Sequence, residues 1–339
     1  MTYRVQIATR MADVDPGHWD ALIHDTKESI FYHRSFLEAF EKHPLHPVER
    51  TAYLTMLTPS GRPAAALPAF LMRGTDPMRV LATHFPDITA EPALLSHVWH
   101  CYQTTLPTHP RHPEAADAAM AAFTELAQEW KASLCGLVNI DHQDPLAARL
   151  TARGIPGTNI ETGWGMDIAT FANLDAYITG LVRKRRTIMR QYLRRAHEAG
   201  VRTRFTPAVD GDLDGFVRLA RHTAEKFDNA DYYQPGLFQD FVLHLGDHAW
   251  LLELHLDGQL IGSALVLLDD ARIHFFATGF DLTASPRFSP FYLLFARTVQ
   301  EGITRRLPWL AAGRRNPDFK RRHNLTPTAL TAHLKLVTT

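Results

Sequence analysis

Apolar and polar positions along the chain change rhythm in a repeating order. The segment Phe31-Tyr-His-Arg-Ser-Phe-Leu-Glu-Ala-Phe-Glu41 spaces its apolar residues three and four apart and predicts an amphipathic helix. Thr51-Ala-Tyr-Leu-Thr-Met-Leu57 and Ala64-Ala-Ala-Leu-Pro-Ala-Phe-Leu71 flank the turn Pro59-Ser-Gly-Arg62 and predict a strand pair. A helix over Ala118–Trp130 and a strand over Ser133–Asn139 follow. The order then returns. Tyr233–Leu245 predicts a helix, and Ala249–Leu256 and Gln259–Leu268 predict a hairpin closed by Asp257-Gly258. Phe291–Gly302 predicts a second long helix and Leu307–Ala312 a last strand.

Four elements recurring in one order indicate an internal duplication. Helix, antiparallel strands, helix and strand make an α+β unit with a mixed sheet. The expected architecture is two such units, residues 1–155 and 156–339. The first carries an insertion at 73–117, rich in Pro and His. Gly154-Ile-Pro-Gly-Thr158 marks the junction, and Thr162-Gly-Trp-Gly-Met-Asp-Ile168 opens the second unit as a strand.

Between junction and second repeat lies a basic helix over residues 181–199. From Arg183 to Arg195 it holds seven basic residues and no acidic one, in a chain whose 36 Lys and Arg balance 36 Asp and Glu. At helical spacing Arg183, Arg186, Arg190 and Arg194 fall in a stripe roughly 80° wide. Leu181, Val182, Ile188, Met189, Tyr192, Leu193 and Ala196 gather on the other side. Such a helix docks by its apolar face and presents guanidinium forks, which match phosphate geometry; a solvated basic face is the competing reading. Arg185 falls inside the apolar arc, where it lies past the packed edge, pairs with a buried carboxylate, or turns into a site.

Composition narrows the chemistry. Hydrophobic content of 45% and charged content of 21% describe a soluble globular chain. No run approaches the roughly 20 apolar residues of a membrane span, and the N-terminus lacks a signal-peptide core. Cys101 and Cys135 are the two cysteines, which fits a reducing cytoplasm and gives neither a disulfide framework nor a metal cluster. The 19 histidines show no metal-binding spacing, so no metal is expected. No phosphate-binding glycine loop of the Walker or dinucleotide type occurs.

The element order resembles the GNAT acyltransferase fold present twice. Tandem GNAT units joined by a basic helix are similar to the FemABX group, the aminoacyl-tRNA-dependent peptidyltransferases. Lys184-Arg-Arg-Thr-Ile-Met-Arg-Gln-Tyr-Leu-Arg-Arg-Ala-His-Glu-Ala-Gly-Val201 is similar to the group's KxRxxxRxxxRKAxxxGV helix. Gly313-Arg-Arg-Asn-Pro-Asp-Phe-Lys-Arg-Arg-His-Asn-Leu-Thr-Pro327 is similar to its G…FKxxFG…P segment. The resemblance implies that Lys320 binds acceptor and stabilises charge on the reacting carbonyl. On the residues alone this segment is a basic loop after a strand, a place where sites are built. The chain also departs from the pattern of coenzyme A-dependent GNAT enzymes. Gly279-Phe-Asp-Leu-Thr-Ala-Ser-Pro-Arg-Phe-Ser-Pro-Phe291 lacks the Gly-x-Gly pyrophosphate loop, although Ser289 and Pro290 suit a helix start.

The chain is expected to be an amide-forming transferase that moves an aminoacyl group from a charged tRNA to an amine of a small-molecule or peptide acceptor, by direct attack in a cleft between the two units. It should need no cofactor beyond aminoacyl-tRNA as co-substrate. Lys320, Arg315 and Glu225 are the candidate catalytic residues. Arg183, Lys184, Arg186, Arg190, Arg194 and Arg287 are the candidate tRNA and phosphate ligands. His84, Asp87, Trp164, Asn316 and His323 are the candidate acceptor contacts. For His84 and Asp87 solvated loop positions compete with this role, and for Trp164 a core aromatic does. An acyl-CoA-dependent N-acetyltransferase using acetyl-CoA is the alternative. A non-catalytic nucleic-acid or glycan-binding protein on the same scaffold is the second.

Overall fold

The computed structural model describes residues 2–73, 80–86, 91–96, 101–226, 228–281 and 287–337. The chain forms two compact units, one of Met1–Gly163 with Thr328–Thr339 and one of Trp164–Pro327. In order, the first half runs β1 (Arg4–Ala8), α1 (Pro16–Thr26), α2 (Arg34–Lys42), β2 (Arg50–Leu57), β3 (Pro63–Met72), α3 (Val80–His84), β4 (Ala93–Leu95), α4 (Ala115–Glu129), β5 (Leu134–Asp141) and α5 (Pro145–Ala152). Next come β6 (Gly157–Asp167), α6 (Leu174–Gly180), α7 (Arg183–Glu198), β7 (Arg202–Pro207), α8 (Leu213–Glu225), α9 (Leu237–His244), β8 (Ala249–Leu256), β9 (Gln259–Leu268) and β10 (Arg272–Phe280). The chain ends with α10 (Pro290–Thr304), β11 (Trp309–Ala311), α11 (Pro317–Arg322) and β12 (Thr326–Leu336).

The duplication is visible strand by strand. In the first unit the order is β1-β2-β3-β4-β5-β12, antiparallel throughout except for the parallel pair β4 and β5. In the second it is β7-β8-β9-β10-β11-β6, antiparallel except for the parallel pair β10 and β11. Each parallel pair is joined through a long helix, α4 or α10, as parallel strands require. The sixth place is filled out of sequence. The last strand of the chain, β12, pairs with β5, and the end of β6 pairs with β11.

Local chemistry sets the boundaries. The Asp257-Gly258 turn closes the β8–β9 hairpin with both residues at positive φ, 52° and 79°. α9 starts four residues later than its apolar pattern, because Pro235 and then Gly236 at φ 84° interrupt the backbone. α2 starts at Arg34, because His33 is extended. Strands β1, β4, β7, β10 and β12 and helices α1, α3, α5, α6, α8 and α11 are added to the elements expected from the sequence.

The first core packs α4 on β2, β3 and β5, with Phe123, Leu126 and Met120 at its centre. The second packs α6, α7 and α10 on one face of β8, β9 and β10, through Leu252, Val266, Ile273, Phe275 and Phe295. A bulge between Phe275 and Ala277 reverses the facing of β10 beyond it. Gly279 therefore meets α8 on the opposite face, where a Cβ would lie 2.1 Å from the Ala220 nitrogen. α10 and α8 thus cover the two faces of the second sheet. Among the described residues no helix is long and apolar enough to cross a membrane.

Candidate functional site

The basic helix forms where the sequence predicts it. Gly200 at φ 77° ends α7, with its N–H and that of Val201 donating to the carbonyls of His197 and Ala196. Met189 and Ala196 are buried, and the Tyr192 ring meets the Tyr292 ring of α10 edge-on at 5.1 Å. Val182 departs from the expected apolar face. It flanks the first turn and is 63% exposed.

The cations of α7 divide into two groups. Arg190 donates to Asp175 at 2.8 Å and to Thr179 at 3.0 Å, and Arg194 lies 3.6 Å from Glu198. Arg195 donates to the Arg287 carbonyl at 3.0 Å and ties α7 to the entrance of α10. Arg183, Lys184, Arg185 and Arg186 have no carboxylate within ion-pair distance among the described residues, and the Arg186 Nε is buried without an acceptor. Arg287 is exposed, just ahead of Ser289, whose hydroxyl caps α10 by accepting from the Tyr292 N–H at 3.5 Å. Residues 282–286, the middle of the stretch that lacks a pyrophosphate loop, lie outside the described residues.

Beyond β11 the chain turns through Gly313 and Asn316, both in the left-handed region at φ 67° and 62°, into the short helix α11. Phe319 anchors it, with ring centroids 4.7 Å from Phe291 and 5.0 Å from Phe295. Lys320, on the next position, is 6% exposed. His323 is fully buried, edge-on to Tyr292 at 5.1 Å, and its backbone carbonyl accepts from the Tyr177 hydroxyl at 3.0 Å. Burial lowers the His323 pKa, and the positive charges of Arg185 and Arg322 push the same way against its backbone hydrogen bond. Arg185 thus takes the last of its three options: it turns toward α11. Arg315 and Asn316 are exposed. Trp164 is 6% exposed, pairs through its backbone with Ala312 and Gly313, and lies 5.9 Å beneath the Arg321 guanidinium.

The structure therefore gathers α7, the start of α10 and α11, with Lys320 and His323 in the packed layer and a basic rim outside. Glu225 stands apart. It ends α8 on the opposite face of the second sheet, 3.2 Å from His222 Nδ1, and lines a groove of about 930 Å³. His84 is exposed at the end of α3 in the first unit, and Asp87 lies outside the described residues. Asp175, which holds Arg190, and Arg218 and Arg221 of the α8 groove, which have no ion-pair partner among the described residues, had no signal beyond ordinary surface charge.

Residues 183–321 match the model of the acetyltransferase (GNAT) domain family. No curated protein sequence matches the chain. Among solved structures the chain is similar to FemX, with TM-score 0.67, 11% identity and 97% of each chain covered. It is also similar to a tandem GNAT protein from the clavulanic acid biosynthesis pathway, with TM-score 0.60, 15% identity and 99% of each chain covered. L-PGS from Bacillus licheniformis superposes with TM-score 0.61 at 12% identity, over 94% of this chain and 91% of that one. The protein has the GNAT acyltransferase fold in tandem. In fold it resembles FemX.

Proposed function

We propose that this chain is an amide-forming acyltransferase whose donor is an aminoacyl group carried on tRNA, and that the α7–α11 side of the second unit receives that donor. The observation that carries this reading is the run Arg183, Lys184, Arg185 and Arg186, which no carboxylate among the described residues neutralises. Arg287 and Arg322 extend the same basic rim. A phosphate backbone is the ligand that compensates such a row, and counterion release makes its binding salt-dependent.

The chemistry follows from placement. An aminoacyl ester is already activated, so a positioned amine attacks its carbonyl, the C–N bond forms, and the ribose oxygen leaves with a proton. Lys320 supplies a cation from a site largely screened from water, where charge on the carbonyl oxygen is stabilised more strongly than in bulk solvent. Arg315 and Asn316 flank the approach to α11. Positioning and water exclusion contribute the rest. With tRNA as donor, the reaction belongs in the cytoplasm.

A second reading has its own support. The match of residues 183–321 to an acetyltransferase domain favours acetyl-CoA as donor. The two readings separate in one assay. Transfer from charged tRNA that ribonuclease abolishes supports the first, and turnover with acetyl-CoA alone supports the second.

A further inference from the structure

The α8 face of the second unit carries a groove that the donor side does not use. Its wall is one continuous face of α8, with Asp214, Arg218, Arg221, His222 and Glu225 on successive turns, and its volume of about 930 Å³ suits a small ligand. Arg218 and Arg221 have no hydrogen-bond or ion-pair partner among the described residues. Several other polar groups of the groove are engaged. Asp212 caps α8 by accepting from the Gly215 N–H at 2.8 Å, Asp214 accepts from Gln239 at 2.9 Å, and Glu225 faces His222 at 3.2 Å.

We infer that this groove binds a small zwitterion, with its carboxylate on Arg218 and Arg221 and its ammonium at Glu225. Two guanidiniums one turn apart, without a partner among the described residues, form a fork for one carboxylate. The charge balance selects against polyphosphates. Four carboxylates, Asp212, Asp214, Glu225 and Asp281, line the groove against two guanidiniums, so a nucleotide or RNA strand meets net negative charge there. A ligand with one charge of each sign satisfies both ends. Arg218 and Glu225 are seven residues apart on α8, about 10 Å along the axis. A free-amine peptide of about three residues spans that distance when extended. The sheet separates this groove from Lys320, so the ligand is not the amine that attacks in the proposed transfer, and the site does not rest on that reading.

The test is calorimetric titration of the full-length protein with triglycine in the absence of any donor. Triglycine should bind, and both triglycine amide and N-acetyltriglycine should bind about tenfold more weakly or worse. Arg218→Gln with Arg221→Gln, and the exposed Arg218→Gln alone, should weaken triglycine binding while thermal unfolding stays unchanged. Glu225→Gln should weaken triglycine but not N-acetyltriglycine. No binding of triglycine, equal binding to the arginine variants, or competition by inorganic pyrophosphate stronger than by triglycine itself overturns the proposal. Because no donor is present, a failure here is distinct from a failure of the tRNA assignment, which the transfer assay reads.

Discussion

His323 lies flat on Phe319, with ring centroids 4.0 Å apart and planes 23° from parallel, while its Nδ1 bonds the Phe319 carbonyl at 2.6 Å. In the segment this chain resembles, the corresponding position is phenylalanine and the next is glycine. Here an imidazole fills the aromatic layer, and Asn324 adopts the left-handed backbone at φ 62° that glycine would take. The result is a buried, neutral histidine clamped between α10 and α11.

That histidine gives stability a pH dependence. Its folded pKa is depressed while the unfolded value is near 6.5, so the unfolded chain binds more protons just below that point. The His323 contribution is therefore fully present above about pH 6.5 and falls as pH drops through the unfolded value toward the folded one. His46 in the first unit, pushed down by burial to about 4, acts in the same direction. His323→Phe should flatten the loss of thermal stability between about pH 6.5 and pH 5 relative to the parent. An equally steep loss in the variant would show that His323 does not contribute.

The two groups of α7 cations should behave differently. Arg183→Gln with Arg186→Gln removes cations that have no carboxylate partner among the described residues, and each lost phosphate contact should reduce the salt slope of tRNA binding by about one. Arg190→Gln with Arg194→Gln should have a smaller effect, because those guanidiniums are shared with Asp175 and Glu198. The Arg190 and Arg194 pairs are exposed and worth little to the fold, so both double variants should unfold near the parental temperature. Filter binding across a salt series reads the difference, and equal slopes for all variants would contradict it.

Lys320→Ala should lower turnover by more than about tenfold, the loss of roughly 1.4 kcal/mol of transition-state stabilisation. The residue is buried, so circular dichroism must first show an intact fold. Lys320→Arg keeps the charge but replaces a compact ammonium with a planar fork. Activity retained in that variant would indicate charge attraction alone, and near-normal turnover of Lys320→Ala would remove the residue from the chemistry.

Gly279 is a packing requirement. A Cβ there would meet the Ala220 nitrogen at 2.1 Å and the Leu219 carbonyl carbon at 2.3 Å, both backbone atoms that cannot turn aside. Gly279→Ala should cost about 2 kcal/mol or more and displace α8, whose other face forms the groove. A thermal shift within error of zero would show that α8 leaves room for a Cβ at Gly279.

Much of this was legible along the chain because it is local. The Asp257-Gly258 hairpin, the long helices α4 and α10 and the basic helix follow from spacing and turn chemistry, and the repeated order carried the tandem fold. Strand β7, Arg202-Thr-Arg-Phe-Thr-Pro207, has one large apolar residue and no clear alternation, so its pattern is silent. The pairing of β12 with β5 joins residues nearly 200 positions apart, a relation that no local signal encodes. The candidate site divides in the same way. The cations were visible as composition, but which of them are neutralised depends on Asp175 and on how α6 packs beside α7. Glu225 and Lys320 share a unit, yet the sheet stands between their helices, and only the strand facings reveal that.

The central claim is that the donor is an aminoacyl-tRNA. It is tested by incubating the intact protein and a free-amine peptide with tRNA bearing a labelled amino acid, beside a ribonuclease-treated sample and a sample with labelled acetyl-CoA alone. The account predicts label transfer from the intact charged tRNA, abolished by ribonuclease, and none from acetyl-CoA. Transfer from acetyl-CoA that ribonuclease leaves unchanged, with no transfer from charged tRNA, would contradict it.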